Sequence, residues 1–431
     1  MPEAEWMARS SPAFRLMIAT SWLAPEVSRA SQEEAIRNAC SDNPDWTEYL
    51  LLVERHRIPA VSWAALKSVS GIDIPDGVQK ELHERSDACR MQSMIHLGLL
   101  AGVLRAFNRA GIPVMPLKGP LLSQELYGDA GIRQSVDLDV LVAPEQIGAA
   151  RECLRGLRWV DEFGNAGLTE RQWEFKLRHD QHLAFTHAKT NCVLELHWRA
   201  EWKPAESTAD RIAGSALSHW QGCSYRTMNP VDLTLHLCHH GSKHAWFRSK
   251  WLGDLARIFA LGSVDWQAAL EKAHRAGRER SVLVCLRLLK EAYGLDATRL
   301  TDGQADSIPP WAMRTVVRNL TTPSEPRTRG TAAKILELFR SAPYKFWLWP
   351  SKSAWECFAL VAIPGVDFKL VRLPNRLFWL YLPLRPFLFA WRHRRDFSRG
   401  RSSVNTRIQV EPGPRSNAAG APAAQGAHDT E

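Results

Sequence analysis

Asp137 and Asp139 are separated by one residue within Asp137-Leu138-Asp139-Val140-Leu141-Val142, a run that alternates like a β-strand. Residues two apart in a strand point to the same face, so the two carboxylates would stand about 6–7 Å apart. They repel each other unless a cation lies between them, and carboxylate oxygens suit Mg²⁺ (or Mn²⁺). Glu195 and His197 form a second same-face pair in another expected strand, Cys192 to Trp198. If the two strands are neighbours, Glu195 aims a third carboxylate at the same point. Three carboxylates on one sheet surface are enough for two metal ions, which can activate an attacking hydroxyl and stabilise a leaving pyrophosphate. The expected metal-binding and catalytic set is therefore Asp137, Asp139 and Glu195.

The phosphate side has its own candidates. Lys118 and Gly119 sit where a short extended run meets a helix, and helix N-terminal amides favour anions. Glycine lets a phosphate approach the backbone, although Pro120 brings no amide to the cradle. Arg133 is a fork donor suited to phosphate. Each cation has a structural alternative: Lys118 pairing with an acid, and Arg133 bridging Asp137 or Asp129. His236, His240 and His244 recur every four residues on an expected helix, but no Glu follows the first, so the H-E-x-x-H pattern is absent. They read as packed histidines. His240 and His244, with His197, are candidate contacts to a nucleotide or an acceptor. Trp246 and Trp251 read as core anchors. Asp254 pairs with Lys250 or orients a histidine.

The elements that must position these residues alternate in type. Glu34 to Cys40, Trp46 to His56, Pro59 to Val69 and Val78 to Ala110 carry helical periodicity. Ile112 to Leu117 reads as extended, Leu121 to Tyr127 as two helical turns, and Pro144 to about Leu157 as a helix. Gln181 to His187 and Cys192 to Trp198 read as strands joined at Lys189-Thr190-Asn191. Pro230 to Leu261 reads as helical with Gly241 as a break, Trp266 to Tyr293 as helical, and Ser307 to Pro326 as a connector. The expected class is α+β: a small mixed β-sheet core flanked by N-terminal and C-terminal helical regions. The expected organisation is a helical region over 1–109, the α+β core over 110–228, a helical region over 229–300, an aromatic and basic extension over 301–400, and a disordered tail over 401–431.

The chain has 431 residues, with hydrophobic residues at 45% and charged residues at 23%, which excludes a wholly disordered or collagen-like chain. Eight cysteines form no C-x-x-C pair, which argues against ribbon-type zinc sites and a disulfide scaffold. That usage and the acidic start Met1-Pro2-Glu3-Ala4-Glu5 lead to an expected cytoplasmic location. The net charge is +9, and the stretch from Arg340 to Arg401 carries all of it, with twelve Lys and Arg against three acids. Over 345–395 aromatics precede Arg clusters, and Pro383, Arg385 and Pro386 interrupt the apolar run. Two readings stand for this stretch. One is an anionic membrane surface, at the inner face of the plasma membrane. The other is an irregular segment packed on the protein. No specific nucleic-acid partner is expected.

The motifs also carry a resemblance. Leu117-Lys118-Gly119, Tyr127, Arg133 and Asp137-Leu138-Asp139-Val140-Leu141-Val142 resemble the bacterial "uncharacterised nucleotidyltransferase" family of the DNA polymerase β-like nucleotidyltransferase superfamily. Leu194-Glu195-Leu196-His197-Trp198 and His240-Gly241-Ser242-Lys243-His244-Ala245-Trp246, with Trp251 and Asp254, are similar too, as are Asp45-Trp46 and His56-Arg57-Ile58. The resemblance spans roughly residues 15–300. It implies that Gly119 opens a helix beneath a triphosphate, that Asp137 and Asp139 bind two Mg²⁺, and that Glu195 completes the metal site. The sequence departs from the superfamily pattern where Lys118-Gly119-Pro120 replaces the usual Gly-Ser, and the gap to Asp137 is longer. The implied activity is metal-dependent transfer of a nucleoside monophosphate from an NTP, with ATP the expected donor, to an unidentified hydroxyl or phosphate acceptor. The alternative is a non-catalytic nucleotide-binding or membrane-associated regulatory module on the same fold.

Overall fold

The computed structural model describes residues 5–164, 167–200, 207–296, 298–301, 303–322, 331–349, 363 and 365–399. The expected disordered tail, 401–431, lies outside the described residues.

Six helices lead in: α1 (Glu5–Ala8), α2 (Pro12–Ala19), α3 (Glu26–Ser41), α4 (Trp46–His56), α5 (Pro59–Lys67) and α6 (Asp76–Arg109). Their ends follow local chemistry. The Asp45 carboxylate accepts from the amides of Thr47 and Glu48 to cap α4, Arg57 ends that helix in a left-handed conformation, and Pro59 opens the next. The first half of α6 packs Val78, Leu82 and Cys89 into the N-terminal bundle. Its second half packs Leu97, Leu100, Leu104 and Phe107 under the sheet. One long helix thus couples the lead-in to the α+β core.

That core holds β1 (Met115–Pro116), α7 (Pro120–Tyr127), β2 (Asp137–Leu141), α8 (Ile147–Gly156), β3 (Trp159–Asp161), α9 (Glu170–His179), β4 (His182–His187) and β5 (Val193–His197). The strand order is β1-β2-β5-β4-β3; β2 and β5 run parallel and the other neighbours antiparallel. The mixed sheet and the α+β class are as the sequence predicts. Period-two alternation divides the sheet's faces. Leu138, Val140, Leu183, Phe185, Leu194 and Leu196 pack with α6 and α8. Asp137, Asp139, His182, Glu195 and His197 lie on the opposite face.

After the sheet come α10 (Thr208–Ala213) and a hairpin of β6 (Ala216–Trp220) and β7 (Cys223–Thr227). The C-terminal helices follow: α11 (Pro230–Lys243), α12 (Ser249–Ala260), α13 (Trp266–Arg275), α14 (Glu279–Tyr293), α15 (Pro310–Thr321), α16 (Thr331–Leu348) and α17 (Tyr381–Arg399). Leu237, Trp246, Trp251, Leu252 and Leu286 share one core with Met115, Leu117, Leu122 and Leu126. The helical region therefore covers the polar face of the sheet at its β1 side.

Several boundaries differ from expectation. The predicted helix over Pro230–Leu261 is two helices, and the break is not at Gly241. Gly241 lies inside α11 because a Cβ there would come within 2.5 Å of the Trp246 ring. The chain turns instead at Ala245 and Trp246, both at positive φ. Trp266 to Tyr293 also divides, at Gly277 with φ +63°. The connector expected over Ser307–Pro326 contains α15, opened by Pro310 at its first turn. The aromatic C-terminal stretch is partly core: Phe368, Tyr381 and Leu388 are buried beneath the sheet. The Tyr381 hydroxyl accepts from Gln172 Nε2 and donates to the Val371 carbonyl. The same stretch leaves Trp379, Phe387 and Trp391 exposed.

Candidate active site

The parallel register of β2 and β5 sets Asp139 opposite Glu195. Asp137, two residues back, faces the same way, so the three carboxylates expected from the sequence do converge on one surface. Asp139 lies at the bottom, with its side chain 1% exposed. The Lys118 ammonium sits 3.3 Å from its Oδ2, and His197 Nε2 lies 3.1 Å from its Oδ1. Burial pushes the Asp139 carboxyl up, but Lys118 and the His197 hydrogen bond outweigh that and hold it well below the usual carboxylate range.

His197 bridges the two strands' acids, since the same Nε2 lies 3.2 Å from Glu195 Oε2. Burial alone would lower the imidazole pKa; the hydrogen bonds to Asp139 and Glu195 reverse this and raise it. On Glu195, burial is outweighed by the His197 hydrogen bond and the charge of His182, and its pKa falls. Asp137 goes the other way. Burial and then the charge of Asp139 raise its pKa, with Glu195 adding to the effect and Lys118 opposing it. The donor set fits a divalent cation on these grounds: oxygen ligands from three carboxylates, one of which resists ionisation because of burial and then the charge of Asp139.

The phosphate candidates separate. Gly119 adopts φ +90°, a conformation that side chains rarely tolerate, and caps α7 directly ahead of Pro120. Lys118 is part of the carboxylate cluster, so of its two readings the structure shows an ion pair with an acid, namely Asp139. Arg133 does not reach either partner considered from the sequence. Its Nε donates to Asp254 Oδ2 at 2.7 Å, with the Arg and Asp side chains only 4% and 1% exposed. Tyr127 donates to the other oxygen of Asp254 at 3.0 Å. Arg133, Tyr127 and Asp254 thus tie α7 and the β2 approach to α12, and Arg133 is engaged in this buried ion pair.

His236 and His240 of α11 and His244 at its C-terminal cap occupy different settings. His236 is 4% exposed, and among the described residues neither of its ring nitrogens has a hydrogen-bond partner. His240 lies edge-on to Trp251 and to His244, each 4.9 Å between centroids. Burial, then the charge of Lys118, depresses the His240 pKa well below the ordinary value, so it stands as a neutral ring beside the cluster. Trp246 is wholly buried, as expected of a core anchor, and Trp251 is nearly so.

Three further residues face this surface and were not identified as site residues from the sequence. His182, in register with His197 across β4 and β5, places Nε2 3.6 Å from Glu195 Oε1. Lys243 reaches Gln181 Oε1 at 3.4 Å, and Lys250 donates to the Gln134 carbonyl at 3.1 Å. Burial lowers both lysine pKa values; the charge of Lys118 adds to this at Lys243, that of Arg133 at Lys250. The only sequence signal for His182 was its even position in the alternation of β4. The two lysines lie in a stretch that bears no phosphate motif.

A family model described as "Uncharacterised nucleotidyltransferase" matches residues 42–294, more than half of the chain. The chain belongs to this uncharacterised nucleotidyltransferase family. No curated protein and no solved structure matches it at a significant level. The family match covers every carboxylate, lysine and histidine of the site described above. Among the described residues, no helix is long and apolar enough to cross a membrane.

Proposed function

We propose that this nucleotidyltransferase-family protein transfers a nucleoside monophosphate from an NTP, with ATP the expected donor, to a hydroxyl or phosphate acceptor, releasing pyrophosphate. The observation that carries this reading is the β2–β5 register, which groups Asp139 with Glu195 and leaves Asp137 crowded by like charge. Asp137, Asp139 and Glu195 would hold the divalent metal, Mg²⁺ or Mn²⁺. When bound, such a metal supplies charge neutralisation at the phosphates and activation of the acceptor oxygen.

The chain's own residues do the rest. Lys118, at the head of α7, neutralises negative charge beside the carboxylates. Lys243 and Lys250 stand along the helical wall, where burial disfavours their charge until an anion such as a triphosphate aligns against them. Gly119 brings backbone close to the phosphates without a side chain. Glu195 is the base within reach of an acceptor hydroxyl, its charge held by His197 and His182. The neutral ring of His240 and the Trp251 indole form the apolar wall for a base or an acceptor.

The test is a thermal-shift screen of ATP, GTP, CTP and UTP, with and without Mg²⁺ or Mn²⁺, on wild type and on Asp137→Asn/Asp139→Asn. At about 100 times Kd, ligand linkage supplies about 2.7 kcal/mol, a shift of several degrees. A metal-dependent shift with one nucleotide, lost in the double variant, supports the reading. Metal-independent binding that survives the substitutions would instead favour a non-catalytic nucleotide-binding module.

One further observation favours peripheral membrane attachment. Trp379 (63% exposed), Phe387 (72%) and Trp391 (45%) project from the segment whose other face is buried. We propose that this aromatic row, set in the most basic part of the chain, rests on an anionic lipid surface.

A further inference from the structure

We propose that His182, Glu195 and His197 form a binding site for a divalent first-row transition metal, distinct from the position between Asp137 and Asp139. This deepens the metal-dependent reading above, with which it shares Glu195, but it stands on its own geometry.

One ligand atom from each of the three residues lies within 4.8 Å of the other two. Two separations are already close to those of a metal's coordination shell. His197 Nε2 is 3.2 Å from Glu195 Oε2, and His182 Nε2 is 3.6 Å from Glu195 Oε1. Ligands bound at about 2.1 Å in a tetrahedron lie about 3.4 Å apart. The two short contacts use different oxygens of Glu195, so filling the site draws the imidazoles in around one carboxylate.

The scaffold is rigid and the ligands are fixed by it. His182 and His197 face each other in the antiparallel pair of β4 and β5, with rings 5.0 Å apart, and Glu195 precedes His197 by one side-chain repeat. His197 is 8% exposed and lies between two carboxylates, with Asp139 Oδ1 3.1 Å from the same Nε2 that faces Glu195. Asp139 borders the group through His197 alone. His182 is partly open to solvent, which gives the ion a way in.

The ligand type sets the metal. All-oxygen sites suit Mg²⁺ and Mn²⁺, whereas imidazole nitrogen suits later first-row ions such as Co²⁺, Ni²⁺ and Zn²⁺. Two imidazoles and a carboxylate thus discriminate against Mg²⁺, while the Asp137 and Asp139 side does not. The sheet face would then offer two cation positions of different character that share Glu195.

The experiment titrates Co²⁺ into the metal-stripped full chain without nucleotide, read by visible absorption and by equilibrium dialysis. The tightest equivalent should bind with the d–d bands of a nitrogen-ligated ion. Zn²⁺ should displace it, and Mg²⁺ in large excess should not. His182→Ala should weaken Co²⁺ binding by about tenfold or more, and Asp137→Asn should keep the Co²⁺ spectrum. His182→Gln, which preserves side-chain volume, controls for any loss of folding, with the melting temperature read alongside. Equal Co²⁺ affinity in wild type and both His182 variants would overturn the proposal, as would displacement of Co²⁺ by equimolar Mg²⁺. The nucleotide reading is judged separately by the Mg²⁺-dependent thermal shift. Co²⁺ binding lost with His182 but no nucleotide shift in wild type would uphold this site and sink that reading; the converse would do the reverse.

Discussion

Arg133 and Asp254 meet in a buried ion pair, Nε to Oδ2 at 2.7 Å, across 121 residues of sequence. The pair joins the segment before β2 to α12, and Tyr127 completes it from α7. Breaking a buried pair from one side leaves an uncompensated charge and costs about 3–5 kcal/mol. Asp254→Ala should therefore lower the urea midpoint severely. Arg133→Met/Asp254→Leu, which removes both charges and keeps volume, should recover most of that loss. Equal destabilisation in the single and double variants would contradict the account.

Gly241 illustrates a second tight contact. Its Cα faces the Trp246 ring, and an added Cβ would fall 2.5 Å from the ring's edge. Helix propensity favours Ala over Gly by about 1 kcal/mol, so an exposed site would gain from the change. Here overpacking should win, and Gly241→Ala should destabilise by about 1–3 kcal/mol in chemical denaturation. A stabilised variant would show that Trp246 has room to shift.

Much of the site was legible in the sequence, and the reason is local. Alternation in a strand decides which residues share a face, so Asp137 with Asp139 and Glu195 with His197 could be paired by eye. What alternation cannot give is register between strands. The match of Asp139 with Glu195 depends on a crossover through α8, β3, α9 and β4, of which β3 and α9 carried no sequence signal strong enough to place them. His182 was missed for the same reason, because it becomes a site residue only through pairing with His197. The Asp254 partner of Arg133 was not legible because it lies in a different region of the fold. The Pro230–Leu261 helix was broken at the wrong residue because glycine punctuates a helix only when its conformation requires it, and Gly241 is there for packing.

His197 makes stability depend on pH with a definite sign. Its folded-state pKa lies above the ordinary value of 6.5. The stabilisation from its two carboxylate partners is complete below that value and is lost as pH rises through the raised one. Asp139 contributes with the opposite sense: its stabilisation is present above the ordinary 3.8 and disappears as pH falls through its depressed value. Buried neutral histidines such as His56, His236, His239 and His240 act in the opposite direction, because the unfolded chain alone binds their protons, so the His197 contribution is read as a difference between two proteins. In the metal-free protein, the urea-midpoint difference between wild type and His197→Gln should shrink as pH rises above about 6.5. A difference independent of pH would contradict the account.

The exposed row of Trp379, Phe387 and Trp391 makes a separate prediction. Full-length protein should float with vesicles containing anionic lipid and not with neutral ones, and salt should weaken the association. Replacing all three aromatics with Ser should abolish flotation while leaving the melting temperature within a few degrees, since these side chains contribute little to the core. Retained flotation in the triple variant would rule out the row as the contact.

Lys118 should have opposite effects on the two ligands of the site. Its ammonium lies 3.3 Å from Asp139 Oδ2, so a metal arriving alone must compete with it for that oxygen. Lys118→Met removes the competitor and leaves the carboxylates more negative. Mn²⁺ binding without nucleotide, measured by calorimetry, should therefore tighten several-fold. A triphosphate loses a cation in the same variant, and a charge-assisted hydrogen bond is worth about 1.5–3 kcal/mol. Nucleotide affinity in the presence of Mn²⁺ should fall by about tenfold or more. A residue that served only to hold the sheet together would weaken both, because a distorted cluster binds neither ligand well. The crossing of the two effects, tighter for metal and weaker for nucleotide, separates a phosphate-facing Lys118 from a structural one.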